Sequence, residues 1–250
     1  MKAVRALREK PQADLADIQC IAVVTQNPDG HGLPHTSAIV HGKLGLPLSC
    51  FAFDISLGCS GYVAGLAIVA GFMEKCGLSR GVLVTADPYS KIVDPADKNT
   101  ALIFGDAATA TLLGKNAIFA LGRFDFGTDG SAGEALTILD NGHLSMNGRA
   151  VFDFTARHVP PSVERTLALN GIPIDHVDSF LLHSGSRYIV DTLSRRLGIA
   201  APFTSSSIGN AVSSSIPLML EAMIDGPERL VFASGFGVGL GWASTMLSKP

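Results

Sequence analysis

Charge is scarce in this sequence. Asp, Glu, Lys and Arg make up 16% of its 250 residues, while 47% are hydrophobic. A net charge of -3 and the absence of any basic run predict no nucleic-acid partner. The apolar excess does not come in membrane-sized blocks. Its longest run, Tyr62 to Met73, is too short for a bilayer, which takes about 20 residues, so no membrane partner is expected. Met1 to Glu9 reads as the start of an amphipathic helix and lacks the apolar centre of a signal peptide. There are four cysteines, Cys20, Cys50, Cys59 and Cys76, with no CxxC spacing. Three lie in apolar segments, which predicts a reduced, cytoplasmic protein. No two histidines or acids stand at metal-ligand spacing, so no metal site is expected. A composition this apolar implies a large core and a surface covered by a second subunit.

The chain is organised around Phe51-Ala-Phe-Asp-Ile-Ser-Leu-Gly-Cys-Ser-Gly-Tyr-Val-Ala-Gly-Leu66. Its first half is short and apolar, as a buried strand is. From Tyr62 to Met73 the run is long and free of proline, and predicts a helix buried on most sides. Between them, Gly58 to Gly61 form a sharp turn that puts Cys59 at the helix start. The helix dipole and unpaired N–H groups there favour thiolate, the nucleophilic form. This is the cysteine form of a nucleophile elbow. The alternative is a small apolar filler, since free cysteine is often buried.

Lys2 to Lys10 has a helical pattern, and the segment from Asp14 ends in the apolar strand Cys20-Ile-Ala-Val-Val24. A polar loop from Gln26 to Pro34 precedes a helix to about Lys43. After the Cys59 unit come a strand at Gly81 to Ala86, a polar connection to Asn99, and Ala101 to Leu113, read as two short strands joined at a Gly-Asp turn. Alternating strands and helices predict an α/β fold. The second half repeats this order. Asp14 to Val24 matches Ile174 to His183, and Gly58-Cys59 matches Gly209-Asn210. Arg80 to Ala86 matches Arg229 to Ser234, and Ala108 to Leu113 matches Ala243 to Leu247. Two similar units, 1–115 and 116–250, are expected, joined near Gly114 to Ala117. The second opens with a strand, Ala117 to Asp125, and its first helix begins at about Pro161. The first has no counterpart of that strand, which would leave an open slot in its sheet.

Cysteine chemistry needs a base or hydrogen-bond donor, usually histidine. Of seven histidines, His183 ends an apolar strand and precedes small residues, where α/β sheets place ligands. A buried structural histidine is the alternative. His35 and His41 are expected to face solvent, and His31, His143, His158 and His176 to lie in loops or at helix edges. Asn210, at the turn equivalent to Cys59, meets it at the centre if a pseudo-twofold axis relates the units. It is otherwise an ordinary helix cap. The alternating glycines of Gly235-Phe-Gly-Val-Gly-Leu-Gly-Trp242 either expose backbone N–H groups to an oxyanion or form a plain hairpin.

Together these pieces resemble the β-ketoacyl-acyl-carrier-protein synthase III family of the thiolase superfamily, over nearly the whole chain. The resemblance is carried by Asp54-Ile-Ser-Leu-Gly-Cys-Ser-Gly-Tyr62, Ile103-Phe-Gly-Asp-Ala-Ala-Thr-Ala110, Thr128-Asp-Gly-Ser131, Leu182-His-Ser-Gly-Ser186, Gly209-Asn210 and Gly235 to Trp242. It implies a thiolase-like fold of five layers (αβαβα) in two pseudo-duplicated halves, the first incomplete at its N-terminus. It also implies a homodimer and a substrate tunnel ending at the cysteine. The family's Cys–His–Asn triad falls on Cys59, His183 and Asn210. Cys59 would take an acyl group from a thioester, and His183 with Asn210 would stabilise the enolate left when a malonyl thioester loses CO2. N–H groups of Cys59 and Val238 would form the oxyanion hole, and Leu33 stands where the family's dimer partner lines the acyl pocket. No cofactor is implied. Acyl-CoA and malonyl-CoA or malonyl carrier protein are the implied substrates, and acyl carrier protein is an implied partner.

Two departures stand out. The family's His-Gln-Ala-Asn is His183-Ser-Gly-Ser186 here, and the family carries about fifty more N-terminal residues. The first would suit an acyltransferase that passes the acyl group to an amine or alcohol without decarboxylation. The second would suit a non-catalytic or partner-dependent subunit. The presence of Cys59, His183 and Asn210 argues against this last reading, and condensation is the leading one.

Overall fold

Cys20-Ile-Ala-Val-Val24 is apolar at every position because both faces of this strand are covered. A computed structural model, describing residues 1–10, 15 and 17–249, leaves all five buried. This strand, β1, follows helix α1 (Lys2–Arg8) and precedes α2 (Thr36–Leu44), β2 (Phe51–Ile55), α3 (Gly61–Cys76), β3 (Arg80–Ala86) and β4 (Ala108–Gly114). Asp14 and Ala16, within the first repeated segment, lie outside the described residues. The strand order is β2-β1-β3-β4, with β1 parallel to β2 and β3, and β4 antiparallel to β3.

The second sheet contains β5 (Ala120–Thr128), β8 (Ser179–Leu182), β9 (Leu230–Gly237) and β10 (Gly241–Ser248), in the order β5-β10-β9-β8. A small hairpin of β6 (Leu136–Ile138) and β7 (Leu144–Met146) stands apart. Between them run α4 (Gly148–Asn170), α5 (Arg187–Leu197), α6 (Ser205–Ile208) and α7 (Ser215–Glu221).

Side-chain alternation along the strands assigns the layers. Cys20, Ala22 and Val24 pack with α3, with Ile216 and Met219 of α7, and with Val231, Ala233 and Leu247 of the second sheet. Ile21 and Val23 point the other way, into a cluster with Val4 of α1 and Val40 of α2. On the far side, Phe180, Leu182 and Phe232 pack with Val159, Val163 and Leu167 of α4 and Leu193 of α5. The result is α1/α2, sheet, α3/α7, sheet, α4/α5: five alternating layers with α3 at the centre. The repeat places β1, β3 and β4 opposite β8, β9 and β10. In the second sheet β5 flanks β10; among the described residues no strand flanks β4 in the same way.

Three elements differ from the sequence reading. Ala101 to Leu113 contains one strand, not two; Phe104 makes only an isolated bridge, to Asn210. The opening strand of the second sheet runs Ala120–Thr128 rather than from Ala117 to Asp125. Helix α4 starts at Gly148, capped by the Asn147 side chain on the Ala150 N–H, and runs through Pro160 and Pro161. Proline inside a helix strips the carbonyl four residues earlier of its partner. That carbonyl, on Ala156, receives Nη1 of Arg196 at 2.5 Å instead. A cation from α5 thus makes good the bond that Pro160 removes.

Candidate active site

Cys59 lies between the end of β2 and the start of α3, where the Gly61 N–H closes a turn on the Gly58 carbonyl at 2.8 Å. It is buried, and the end of β9 lies directly against it. A Cβ on Gly235 would stand 2.6 Å from the Cys59 carbonyl oxygen, and one on Gly237 would stand 2.8 Å from Sγ. Residues two apart share a strand face, so both positions that face the cysteine must lack a side chain. Past them, the N–H of Val238 is directed at the Cys59 thiol, as is the N–H of Cys59 itself. The family resemblance implies that these two donors form the oxyanion hole.

Burial pushes the Cys59 thiol up to about 12; the Val238 N–H opposes the shift and the Asp87 carboxylate adds to it. The thiolate expected from the helix start is therefore not the resting form, because desolvation outweighs it. Asp87, also buried, accepts bonds from Gln26 N–H and Asn27 Nδ2, both at 3.0 Å, and burial raises its own carboxyl. An apolar cluster of Tyr89, Leu136, Leu144 and Val212 surrounds Cys59, with Phe104 stacked on Tyr89 at 4.7 Å between ring centres.

His183 follows β8, and its N–H bonds the Ser234 carbonyl of β9 at 2.9 Å. The same strand end thus holds the histidine and the cysteine. Phe236 meets the imidazole edge-on, with ring centres 5.8 Å apart and planes at 89°. Nδ1 lies 2.8 Å from Oγ of Ser215 at the start of α7. Full burial lowers the His183 pKa to about 4, so the ring is neutral at pH 7.

Asn210 is fixed on three sides. Its N–H donates to the Ile103 carbonyl at 2.8 Å, and its carbonyl accepts from the Gly105 N–H at 3.1 Å. Its Oδ1 accepts from the Val212 N–H at 2.9 Å, which assigns Nδ2 to the open side of the amide. Holding that turn puts Val212, a β-branched residue, at a φ of +50°. A Cβ on Gly185 would lie 2.9 Å from His183 Nε2 and 3.4 Å from Asn210 Nδ2. The two nitrogens therefore flank one small space beside Gly185.

Leu33 is 87% exposed and does not belong to the cluster around Cys59. Exposed His35 fits the sequence reading, whereas His41 is half-buried with Nε2 at 3.0 Å from the Pro47 carbonyl. His158 departs further, lying inside α4 and stacked on Trp242 at 4.9 Å. Tyr89, Asp87 and Ser215 were not singled out in the sequence; Asp87 at the end of the Gly81–Ala86 strand was the available signal. Among the described residues no cluster of three His, Cys, Asp or Glu side chains suits a metal, and no helix is long and apolar enough to cross a membrane.

Two packed sheets with helices between and outside them, and a buried cysteine beneath backbone N–H groups, define a thiolase-like fold. Family models for 3-oxoacyl-[acyl-carrier-protein (ACP)] synthase III match residues 53–130, and the C-terminal part of that family matches 167–249. The β-ketoacyl-[acyl-carrier-protein] synthase III of Streptococcus mutans is 32% identical over 98% of this chain and 82% of its own. That of Lactococcus lactis subsp. cremoris is 30% identical over 99% and 82%. A Thermus thermophilus β-ketoacyl-[acyl carrier protein] synthase III structure superposes with a TM-score of 0.91 at 29% identity, covering 100% of this chain and 83% of its own. The chain belongs to the 3-oxoacyl-[acyl-carrier-protein] synthase III family.

Proposed function

We infer that this chain is a condensing enzyme that loads an acyl group onto Cys59 and joins it to a malonyl thioester. The observation that carries this reading is the pair of polar sets: the Val238 and Cys59 N–H groups at the thiol, and the His183 Nε2 and Asn210 Nδ2 nitrogens beside Gly185. In the first half-reaction Sγ attacks the thioester carbonyl, whose oxygen takes up the two N–H donors. The carbon–sulfur bond to the donor breaks, and the Cys59 proton leaves on the departing thiol. In the second, the malonyl carboxylate departs as CO2 and its electron pair moves into the thioester enolate. His183 and Asn210 hold the enolate oxygen. The carbanion then attacks the acyl carbonyl, the new carbon–carbon bond replaces the bond to Sγ, and Cys59 recovers a proton from solvent. No step calls for a cofactor. A neutral histidine suits this role, since it donates without protonating the carbanion.

The donor is an acyl-CoA or acyl carrier protein. Arg187, exposed four residues beyond His183 and packed 4.5 Å over the Phe203 ring, offers positive charge to the phosphates of such a donor. A homodimer is supported by β2, which is an edge strand among the described residues. Phe51 is 56% exposed there, stacked on Phe72 at 5.5 Å, and Leu48 is fully exposed beside it. In such a dimer Leu33, which is exposed, would line the acyl pocket of the second copy. The chain divides functionally at 115/116, with the nucleophile in one unit and His183 and Asn210 in the other.

Intact-protein mass after incubation with acyl-CoAs of two to ten carbons tests this, with Cys59→Ala as control. A thioester adduct on the wild type alone, discharged by malonyl-CoA with release of CO2, is the expected result. Discharge only to an amine or alcohol would move the reading to simple acyl transfer. No adduct from any CoA or carrier-protein donor would overturn it.

A further inference from the structure

Among the described residues, Ser215 is the one polar side chain that reaches the inner nitrogen of His183. It is 1% exposed, its Oγ lies 2.8 Å from Nδ1, and among the described residues it has no other recorded partner. A serine hydroxyl carries one hydrogen, and a buried one is almost always used. Were Nδ1 the protonated nitrogen, it would donate to Oγ and leave the serine hydrogen without an acceptor. With the hydroxyl donating to Nδ1, both groups are satisfied. The imidazole proton then resides on Nε2, the atom that faces the space beside Gly185.

We propose that Ser215 is a positioning residue: it fixes the neutral Nε2–H tautomer of His183, so that Nε2 and Asn210 Nδ2 both present a hydrogen to the same oxygen. This rests on the condensing-enzyme reading. Phe236 holds the plane of the ring from its edge, and Ser215 settles which nitrogen donates. Without the hydroxyl, the neutral ring divides between two tautomers, and in one of them Nε2 repels the enolate oxygen instead of binding it. The acylation of Cys59 makes no use of that hydrogen. The effect of Ser215 therefore falls on one half-reaction.

The test is Ser215→Ala against Ser215→Thr, the latter restoring a hydroxyl. In protein labelled with 15N at histidine, His183→Gln identifies the His183 ring signals, and 15N–1H correlations show which nitrogen carries the proton. The wild type and Ser215→Thr should show the proton on Nε2, and Ser215→Ala a mixture. Malonyl-CoA decarboxylation should fall about tenfold or more in kcat in Ser215→Ala, while the rate of Cys59 acylation changes less than about twofold. A proton on Nδ1 in the wild type would overturn the proposal. So would an unchanged tautomer in Ser215→Ala, or an equal loss in both half-reactions, which marks a merely structural serine. Should the wild type neither acylate nor decarboxylate, the condensing-enzyme reading falls, and the ring signals still decide the tautomer.

Discussion

Gly237 approaches Cys59 so closely that a methyl group there would stand 2.8 Å from the sulfur and 2.9 Å from its Cβ. It also holds a φ of +150°, which residues with a side chain rarely adopt. Gly237→Ala must therefore displace either the thiol or the end of β9 that carries Val238. Acylation of Cys59 should fall by roughly 10²-fold, the cost of an ångström-scale misplacement. Circular dichroism should remain that of the wild type. Full acylation in a folded variant would show that the strand and the cysteine are not in register.

The neutrality of His183 ties stability to pH. Its pKa is near 4 in the fold against 6.5 for a free histidine. The unfolded chain therefore binds the proton more readily, and unfolding gains from it as the pH falls below 6.5. The contribution is fully present above pH 6.5 and is lost between 6.5 and 4, to the extent of about 3 kcal/mol. Urea midpoints from pH 7.5 to 4.5 should drop more steeply for the wild type than for His183→Gln, which cannot titrate. Parallel slopes would mean that folding leaves the His183 pKa unchanged.

Tyr89 limits the space on one side of the sulfur. It is 2% exposed, stacked on Phe104, and its hydroxyl donates to Gln26 Oε1 at 3.4 Å. Tyr89→Leu should admit longer chains and raise the ratio of octanoyl to acetyl loading about tenfold, as one or two methylene-sized spaces allow. Tyr89→Phe, which keeps the ring, should leave that ratio unchanged. Competition between the two acyl-CoAs, read as the two adduct masses, measures it.

Much of this arrangement was legible in the residues. The all-apolar β1, the Gly58–Gly61 turn between strand and helix, and the small residues at Gly235 and Gly237 each stand where the sequence put them. Local pattern failed where distant groups decide. Pro160 and Pro161 read as a helix start because nothing nearby shows that Arg196 will bond the Ala156 carbonyl. Ile103 to Gly105 read as a strand, yet these residues spend their backbone bonds on Asn210. The charge state of Cys59 was misread because a helix start is visible in sequence and desolvation is not. Ser215 was silent, being one of three consecutive serines, of which only one meets the imidazole.

The bridge at Asn210 has a consequence for anyone recombining members of this family. The asparagine turn belongs to the second repeat, but its backbone is clamped by Ile103 and Gly105 of the first. A chimera cut between the repeats would pair a turn from one parent with a clamp from another. Grafts that move residues 101–107 together with the Gly209–Val212 turn keep both sides of that joint from one ancestor. Here the inheritable module is a contact, and no single stretch of chain contains it.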